Sequence, residues 1–213
     1  MSKFLLALAL GAGCALARPA GAQVSKVTYA AGVGLMPVRG TAPDQANPYN
    51  YAGTTPGYVL KTVDADLLLL NVGLGFDAPL YQMSGGEQSL GVSLNVVGGL
   101  LYTAREDLDG FNGQTVLDFP EYVTYRYGAK ASKHSKKDFG LGVGLGYRFS
   151  RFFLPFNAPS AMLEGVYASA DHDYFLRLSA DLRPRRFYSD FSSEGLVEVL
   201  RLRAFNVQVG RSF

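Results

Sequence analysis

The segment GLGVGLGYRF at residues 140–149 places four glycines at alternate positions, with apolar or aromatic side chains between them. A period of two predicts a β-strand whose two faces differ. Glycine weakens a strand, because it costs backbone entropy and brings no side chain. A strand that keeps its glycines on one face therefore indicates crowding there. The interior of an eight-stranded barrel supplies this crowding, because it is only just wide enough for side chains to fill it.

The same alternation recurs along the chain and predicts eight strands, at residues 26–35, 68–77, 90–96, 123–130, 140–149, 163–168, 174–183 and 200–213. In the last segment, Leu200 and Leu202 are out of phase with Phe205 and Val207, which predicts a β-bulge near Ala204–Phe205. No linker or internal repeat divides the chain. We therefore expect one barrel domain at residues 23–213.

Residues 1–22 have the pattern of a secretory signal peptide. Lys3 precedes an uncharged apolar run, and small residues lead to a cleavage site near Ala22. The single cysteine, Cys14, lies in this segment, so the mature chain is expected to form no disulfide. The segment also holds Lys3 and Arg18 but no acid, so 20 basic and 18 acidic residues become 18 and 18. This balance gives no indication of nucleic-acid binding.

The connections between the predicted strands alternate in length. Long ones are predicted at residues 41–57, 105–115, 152–160 and 184–195, and shorter ones at 132–137 and 171–173. Outer-membrane barrels have short periplasmic turns and longer outer loops, and their apolar face meets lipid. We therefore predict an all-β fold, a single eight-stranded antiparallel up-and-down transmembrane β-barrel with both termini on the periplasmic side. A soluble periplasmic β-barrel or sandwich that binds an apolar ligand is the alternative.

The signal peptide, the alternating segments and the terminal FNVQVGRSF resemble the small eight-stranded outer-membrane barrels of Gram-negative bacteria. In that group the last strand ends in an aromatic residue, here Phe213. The resemblance implies location in the cell outer membrane and recognition of Phe213 by the outer-membrane assembly machinery. Arg211 departs from the pattern, since an aromatic residue is usual there.

Five charged residues fall on the predicted inward face: Arg126, Arg148, Glu164, Arg177 and Asp181. A two-residue hairpin at His172–Asp173 would place Glu164 opposite Asp181. Two close carboxylates can serve acid–base chemistry, but buried charges are more often paired for structural reasons. We interpret these five residues as a structural charge cluster in the lumen. Lys130, Lys133, Lys136 and Lys137 are expected on a solvated periplasmic rim.

A second set of arginines, Arg183, Arg185 and Arg186, adjoins Phe187 and Tyr188 where a strand meets an outer loop. Arginine binds phosphate bidentately, and aromatic residues favour the membrane interface. These three arginines are therefore candidates for contacts with lipid phosphates. The partners expected from the sequence are outer-membrane lipid, the assembly machinery and an unidentified protein at the outer loops.

No catalytic, cofactor-binding or metal-binding motif stands out. The glycine-rich segment does not match a nucleotide-binding loop. Two histidines without cysteine form no recognisable metal-ligand set. A hydrolase would combine Ser169 and His172 with Asp171 or Asp173, and a lipid-modifying barrel would use Ser169, His172, Glu164 or Asp181. The function expected is structural, adhesive or partner-binding without catalysis or cofactor; the barrel enzyme and the soluble binding protein remain alternatives.

Overall fold

A computed structural model describes residues 26–43, 49–50, 57–58, 60–104, 112–132, 134–151, 156–169, 172–190 and 197–213. The predicted signal peptide and its cleavage site lie outside these residues. Within them, no helix is long and apolar enough to cross a membrane.

The described part of the chain is almost entirely β-structure, with one short 3-10 turn at Ser84–Gly86. Its strands are β1 (Lys26–Pro43), β2 (Tyr49–Asn50), β3 (Gly57–Tyr58), β4 (Leu60–Met83), β5 (Gln88–Tyr102), β6 (Thr115–Gly128), β7 (Phe139–Arg151), β8 (Phe156–Ala168), β9 (Asp173–Asp181), β10 (Arg185–Asp190), β11 (Val197–Leu202) and β12 (Phe205–Ser212).

Eight of these strands close into a barrel. Each pairs antiparallel with its neighbour in the order β4-β5-β6-β7-β8-β9-β12-β1, and β1 also pairs with β4. The seam between first and last strands runs from Thr28 opposite Ser212 to Leu35 opposite Phe205. The prediction of a closed eight-stranded antiparallel up-and-down barrel is therefore confirmed.

The two faces of the barrel differ as the alternation predicts. In β7, Leu141 and Leu145 are 62% and 65% exposed, whereas Gly142 and Gly144 lie buried on the inner face. Outward apolar residues recur on every barrel strand and form a lipid-facing band, which includes Val33, Leu70, Val72, Leu94, Val123, Leu163, Leu176 and Val209. Because a closed barrel leaves no unpaired strand edge and this one carries an apolar exterior, its architecture suits a bilayer.

Exposed aromatic residues mark both limits of the lipid-facing band. At the end of the barrel that carries Lys26 and Phe213, here called the terminal end, they are Tyr29, Tyr127, Phe139, Tyr167, Tyr174 and Phe213. At the opposite, loop end they are Tyr102, Tyr147 and Phe205. Aromatic side chains in these places are typical of membrane–water interfaces, and here Tyr and Phe fill them without Trp.

Beyond the band, the strands on one side of the barrel continue into an outer sheet. This outer sheet consists of residues 36–43 of β1, residues 60–67 of β4, β11 and β10, paired in the order β10-β11-β1-β4. Its outward face carries charges, among them Arg39, Asp64 and Asp66, instead of apolar residues. The sequence analysis assigned much of this sheet to loops, since Pro, Asn and charged residues interrupt its alternation.

The inner face of the outer sheet belongs to an apolar core. Met36, Val38, Leu67, Leu200 and Leu202 are each at most 2% exposed. Leu101 at the end of β5 and Val116 at the start of β6 also belong to this cluster. The barrel interior is therefore apolar near the loop end and, as described below, charged nearer the terminal end.

This change of polarity explains why the predicted bulge near Ala204–Phe205 is wrong. The register between β1 and the last strands is the same on both sides of the break, with Val38 opposite Leu202 and Leu35 opposite Phe205. Leu202 and Asn206 both face the interior. Leu200 and Leu202 are apolar residues that face inward, because the interior is apolar at this height, whereas Phe205 and Val207 are apolar residues that face outward. The apolar positions therefore change parity in the sequence although the alternation of the strand is unbroken. A register irregularity lies instead in β4 between Pro79 and Tyr81.

Candidate functional site: the lumen charge clusters and the barrel ends

The lumen nearer the terminal end holds a lower cluster of five charged side chains, each at most 6% exposed: Asp77, Arg126, Lys130, Glu164 and Arg177. They come from β4, β6, the turn after β6, β8 and β9. Their parity on these strands turns them all inward, and closure of the barrel brings them together. The sequence analysis placed Arg126, Glu164 and Arg177 in such a cluster, but it missed Asp77 and put Lys130 on a solvated rim.

Glu164 is the centre of the lower cluster. Arg177 donates two hydrogen bonds to Glu164 Oε2, from Nε at 2.9 Å and from Nη2 at 2.6 Å. On the other oxygen, Lys130 Nζ lies 3.2 Å and Arg126 Nε 3.3 Å from Glu164 Oε1. Three cations therefore surround one carboxylate that is completely buried.

Asp77 is the second anion of this cluster. Arg126 Nη2 donates to Asp77 Oδ1 at 2.8 Å, and Lys130 Nζ lies 2.8 Å from Asp77 Oδ2. Lys130 thus bridges both carboxylates, from a backbone position with φ of 65° in the turn after β6. Buried charges persist when they are paired in this way. The cluster as a whole holds three positive and two negative charges.

The glycines of β7 make these contacts possible. Gly142 lies between Arg126 on β6 and Glu164 on β8 in the strand register. A Cβ atom at Gly142 would be in ordinary van der Waals contact with Arg126 Cγ at 3.4 Å and with Glu164 Cβ at 3.5 Å, so alanine would fit there but a larger side chain would come between the two charged groups. Gly146 lies between Tyr122 and Ser160, whose hydroxyls are 3.2 Å apart, and glycine is needed there because a Cβ atom would overlap the backbone carbonyl of Glu121 on β6.

An upper cluster, which consists of Asp118, Arg148 and Asp181, lies nearer the loop end than the lower cluster does. Arg148 Nε is 3.4 Å from Asp118 Oδ2, and its Nη2 is 3.5 Å from Asp181 Oδ2. Asp181 Oδ2 also accepts a hydrogen bond from the Ala204 backbone N–H at 2.9 Å. With two anions and one cation, this cluster offsets the extra positive charge of the lower one.

The predicted position of Glu164 opposite Asp181 is wrong. The β8–β9 connection has four residues, 169–172, closed by a hydrogen bond from Ser169 N to His172 O, instead of the two assumed. The longer turn shifts the register, so that Glu164 lies opposite Arg177 and Ser160 lies opposite Asp181. The two carboxylates therefore belong to different clusters, and each has its own cations.

The two clusters leave very little open space between them. A cavity of about 10 Å³ is lined by residues of both clusters and by neighbouring polar side chains, among them Asp118, Arg148, Arg177, Asn206 and Gln208. This volume suits about one water molecule. Several polar atoms on this lining, including Arg148 Nε and Asn206 Oδ1, form no hydrogen bond with protein. One bridging water would satisfy some of them.

Phe213 is fixed at the seam of the barrel. Its backbone N–H donates to Val27 O at 3.0 Å, so pairing continues to the last residue. Its ring lies 4.8 Å from the Tyr29 ring and under the Arg211 guanidinium at 4.3 Å. Arg211 Nη2 in turn lies 2.7 Å from His172 Nε2. Arg211, where an aromatic residue is usual, thus covers the terminal aromatic ring.

The residues considered for catalysis are not gathered at an open cleft. Ser169 and His172 lie in the β8–β9 turn at the terminal end, whereas Glu164 and Asp181 are buried inside the lumen. Asp173 forms an ion pair with Lys26, and Asp171 lies outside the described residues. Among the residues that the structure describes, no three His, Cys, Asp or Glu side chains are arranged to hold a metal ion.

The candidate lipid-binding arginines lie at the loop end. Arg183 follows β9 and is exposed. Arg185 and Arg186 begin β10, where Arg185 lies opposite Leu202 and Arg186 opposite Arg201 in the register with β11. The side chains of Arg185 and Arg186 lie outside the described set.

These features define a class: a small closed β-barrel of the outer-membrane type, with a lumen filled by charged and apolar side chains. No protein-family model and no curated protein matches the chain. Among solved structures, it is similar to outer membrane protein AlkL in lipid bilayers, at 12% identity and a TM-score of 0.46, covering 92% of this chain and 93% of that one.

Two further structures are similar at the level of fold. The outer membrane protease OmpT from Escherichia coli has 11% identity and a TM-score of 0.39, with coverage of 94% of this chain and 99% of that chain. The TodX monoaromatic hydrocarbon channel, as its deltaS2 mutant, has 9% identity and a TM-score of 0.32, with 90% of each chain covered. Identities this low concern architecture alone.

Proposed function

We propose that this protein is an outer-membrane anchor that presents its outer sheet for binding a partner outside the cell, after removal of a signal peptide near Ala22. The observation that carries the proposal is the contrast between the two parts of the molecule. The described lumen is filled by two charge clusters and an apolar core, whereas the outer sheet extends past the lipid-facing band on one side of the barrel.

The lumen supports an anchoring role because buried charged and apolar side chains fill its described part. Water-filled channels need about 16 strands. Here eight strands surround buried ion pairs, and the cavity between the clusters measures about 10 Å³. The paired carboxylates also lack the open cleft that a lipid-modifying enzyme would need, so we propose no catalysis.

The outer sheet supports a binding role because two of its strand edges lack a neighbour among the described strands. β5 pairs with β4 only from Leu68 onward, which leaves residues 60–67 of β4 without a second partner strand. β10 is likewise the last strand on its side of the sheet. Exposed strand edges can pair with an extended segment of another protein.

The test uses single cysteines, because the predicted mature chain contains none. Thr62, exposed on the outer sheet, and His134, exposed in a terminal-end turn, would each be replaced by cysteine. We expect a membrane-impermeant maleimide to label Thr62→Cys on intact cells and His134→Cys only after permeabilisation. The reverse pattern would overturn the proposed orientation.

The binding role itself is tested by photocrosslinking on intact cells. A photoreactive residue at Thr62 should trap a protein partner, whereas the same residue at Val123 on the lipid-facing band should not. If Thr62 yields no protein adduct under conditions where the barrel is folded and exposed, the partner-binding proposal fails.

A conduit for apolar molecules is a second candidate, favoured by the apolar core at the loop end. Met36, Leu67 and Leu200 line the interior there and give an apolar surface that a small hydrocarbon could enter if the core opened. Toluene is a suitable probe, because it is small and wholly apolar. Uptake of toluene by cells that express the protein would favour the conduit; uptake equal to that of cells without it would exclude it.

A further inference from the structure

Arginines occupy adjacent register positions on three strands of the outer sheet. Arg201 of β11 lies directly opposite Arg39 of β1 on one side and opposite Arg186 of β10 on the other. Like charges placed opposite each other on adjacent strands destabilise a sheet. Arg39 is ion-paired with Asp64 at 2.7 Å and with Asp66 at 3.5 Å, whereas Arg201 is exposed and has no carboxylate partner among the described side chains.

Two further arginines lie between these positions and the lipid-facing band. Arg203 is exposed, and its guanidinium lies 5.4 Å from the ring of Phe205, the outward aromatic residue at the limit of the band. Arg203 Nε donates to Asp181 O at 2.8 Å, which fixes the side chain at the junction of β9 and β12. Arg183 is exposed two residues along from Asp181.

The height of these arginines matches that of lipid headgroups. Arg203 and Arg201 precede Phe205 by two and four residues. At roughly 3.3 Å per residue, these separations are about 7 and 13 Å along the strand. Barrel strands tilt by about 35–45°, so the two Cα atoms lie roughly 5 and 10 Å above the edge of the hydrocarbon. Long arginine side chains reach several ångströms from such positions toward the interface.

We propose that Arg201, Arg203 and Arg183 bind the phosphate groups of outer-leaflet lipid. A guanidinium binds phosphate through two parallel hydrogen bonds, and several guanidinium groups close to one another can share the phosphates of one headgroup. The sequence analysis named Arg183, Arg185 and Arg186 as candidate lipid contacts. The patch proposed here is centred on Arg201 and Arg203 instead, because the strand register brings this distant segment of the chain into the patch. The inference rests on the proposed insertion in the outer membrane.

The experiment measures binding of bisphosphorylated lipid A to the purified, folded chain in neutral maltoside micelles. Arg201→Gln/Arg203→Gln is compared with the wild type and with Arg151→Gln, an exposed arginine at the same end of β7 whose register partner is Leu117. Each arginine near an anionic surface contributes roughly fivefold in affinity, so we expect the double variant to bind about 25-fold more weakly. Arg151→Gln should change affinity less than twofold, because Arg151 lies on β7, two strands from β9, and outside the group of arginines that would contact the same headgroup.

The controls separate binding of the lipid phosphates from binding of the acyl chains and from binding of free anions. Dephosphorylated lipid A should bind much more weakly than the phosphorylated form, and equal binding would overturn the proposal. If inorganic phosphate alone competes at the same concentration, the site binds free anions and the lipid assignment is wrong. Folding of each variant is checked by the mobility shift between unboiled and boiled samples. Failure of the wild type to show this shift, or to be recovered with membranes, would refute insertion instead.

Discussion

Replacing Glu164 by glutamine tests whether the lower cluster stabilises the barrel. The change keeps the size of the side chain but removes its charge, so Arg126, Lys130 and Arg177 would have Asp77 as the single remaining anion of the cluster. The net charge of the cluster would rise from +1 to +2 in a site where every member is at most 6% exposed.

The expected loss follows from the contacts that Glu164 makes. Arg177 would lose the charge-assisted part of two hydrogen bonds at 2.9 and 2.6 Å, and Lys130 and Arg126 would each lose an ion pair. Removing one partner of a buried ion pair costs about 3–5 kcal/mol, because uncompensated charge stays buried. We expect Glu164→Gln to lower the free energy of unfolding by an amount in this range.

The assay is a urea titration in neutral micelles, with the folded fraction measured from unboiled gel samples and by circular dichroism, since the chain has no tryptophan. Asp66→Asn, at an exposed position on the outer sheet, is the control and should change stability by at most about 0.5 kcal/mol. The midpoint should shift without a change of slope, because the surface exposed on unfolding stays the same.

A second substitution separates charge imbalance from loss of packing. Lys130→Met in the Glu164→Gln background returns the cluster to +1, and we expect it to recover at least about 1 kcal/mol, since contacting residues are not additive. The reasoning would be refuted if Glu164→Gln lowered the free energy of unfolding by less than about 1 kcal/mol. It would also be refuted if the double variant lost the sum of the free energies that the two single variants lose.

Three further predictions concern packing, lipid contact and assembly. Leucine at Gly144→Leu would overlap the inward side chains around it and should lower the free energy of unfolding by about 1–3 kcal/mol, measured by urea titration. The control, Gly165→Ala, should be nearly neutral in the same titration, because a Cβ atom there meets no atom within 4 Å. Val143→Arg on the lipid-facing band should lower the free energy of unfolding by about 2–4 kcal/mol, measured by urea titration of the barrel in lipid vesicles. Phe213→Ala should lower the fraction of heat-modifiable barrel in isolated outer membranes, and an unchanged fraction would show that the terminal ring is dispensable for assembly.

Which residues face lipid and which face the lumen could be read from the sequence, because side-chain parity along a strand is a local property. Leu141, Leu145 and Val123 face outward, and Gly142 and Arg126 face inward, as their alternation predicts. Closure into eight strands also follows from the number of such segments. The outer sheet could not be predicted in this way, because its interior is apolar and its exterior charged, which reverses the pattern of the membrane band.

Which charges meet was decided only by the tertiary structure. Asp77 and Lys130 carried the correct parity in the sequence, but nothing local placed them beside Glu164, whose strand is not a neighbour of theirs. The four-residue turn after β8 determined that Glu164 faces Arg177, and barrel closure brought Arg201 into register with Arg39. Parity depends on each residue and its neighbours, whereas register depends on turn lengths and on the closing seam, which are properties of the whole barrel.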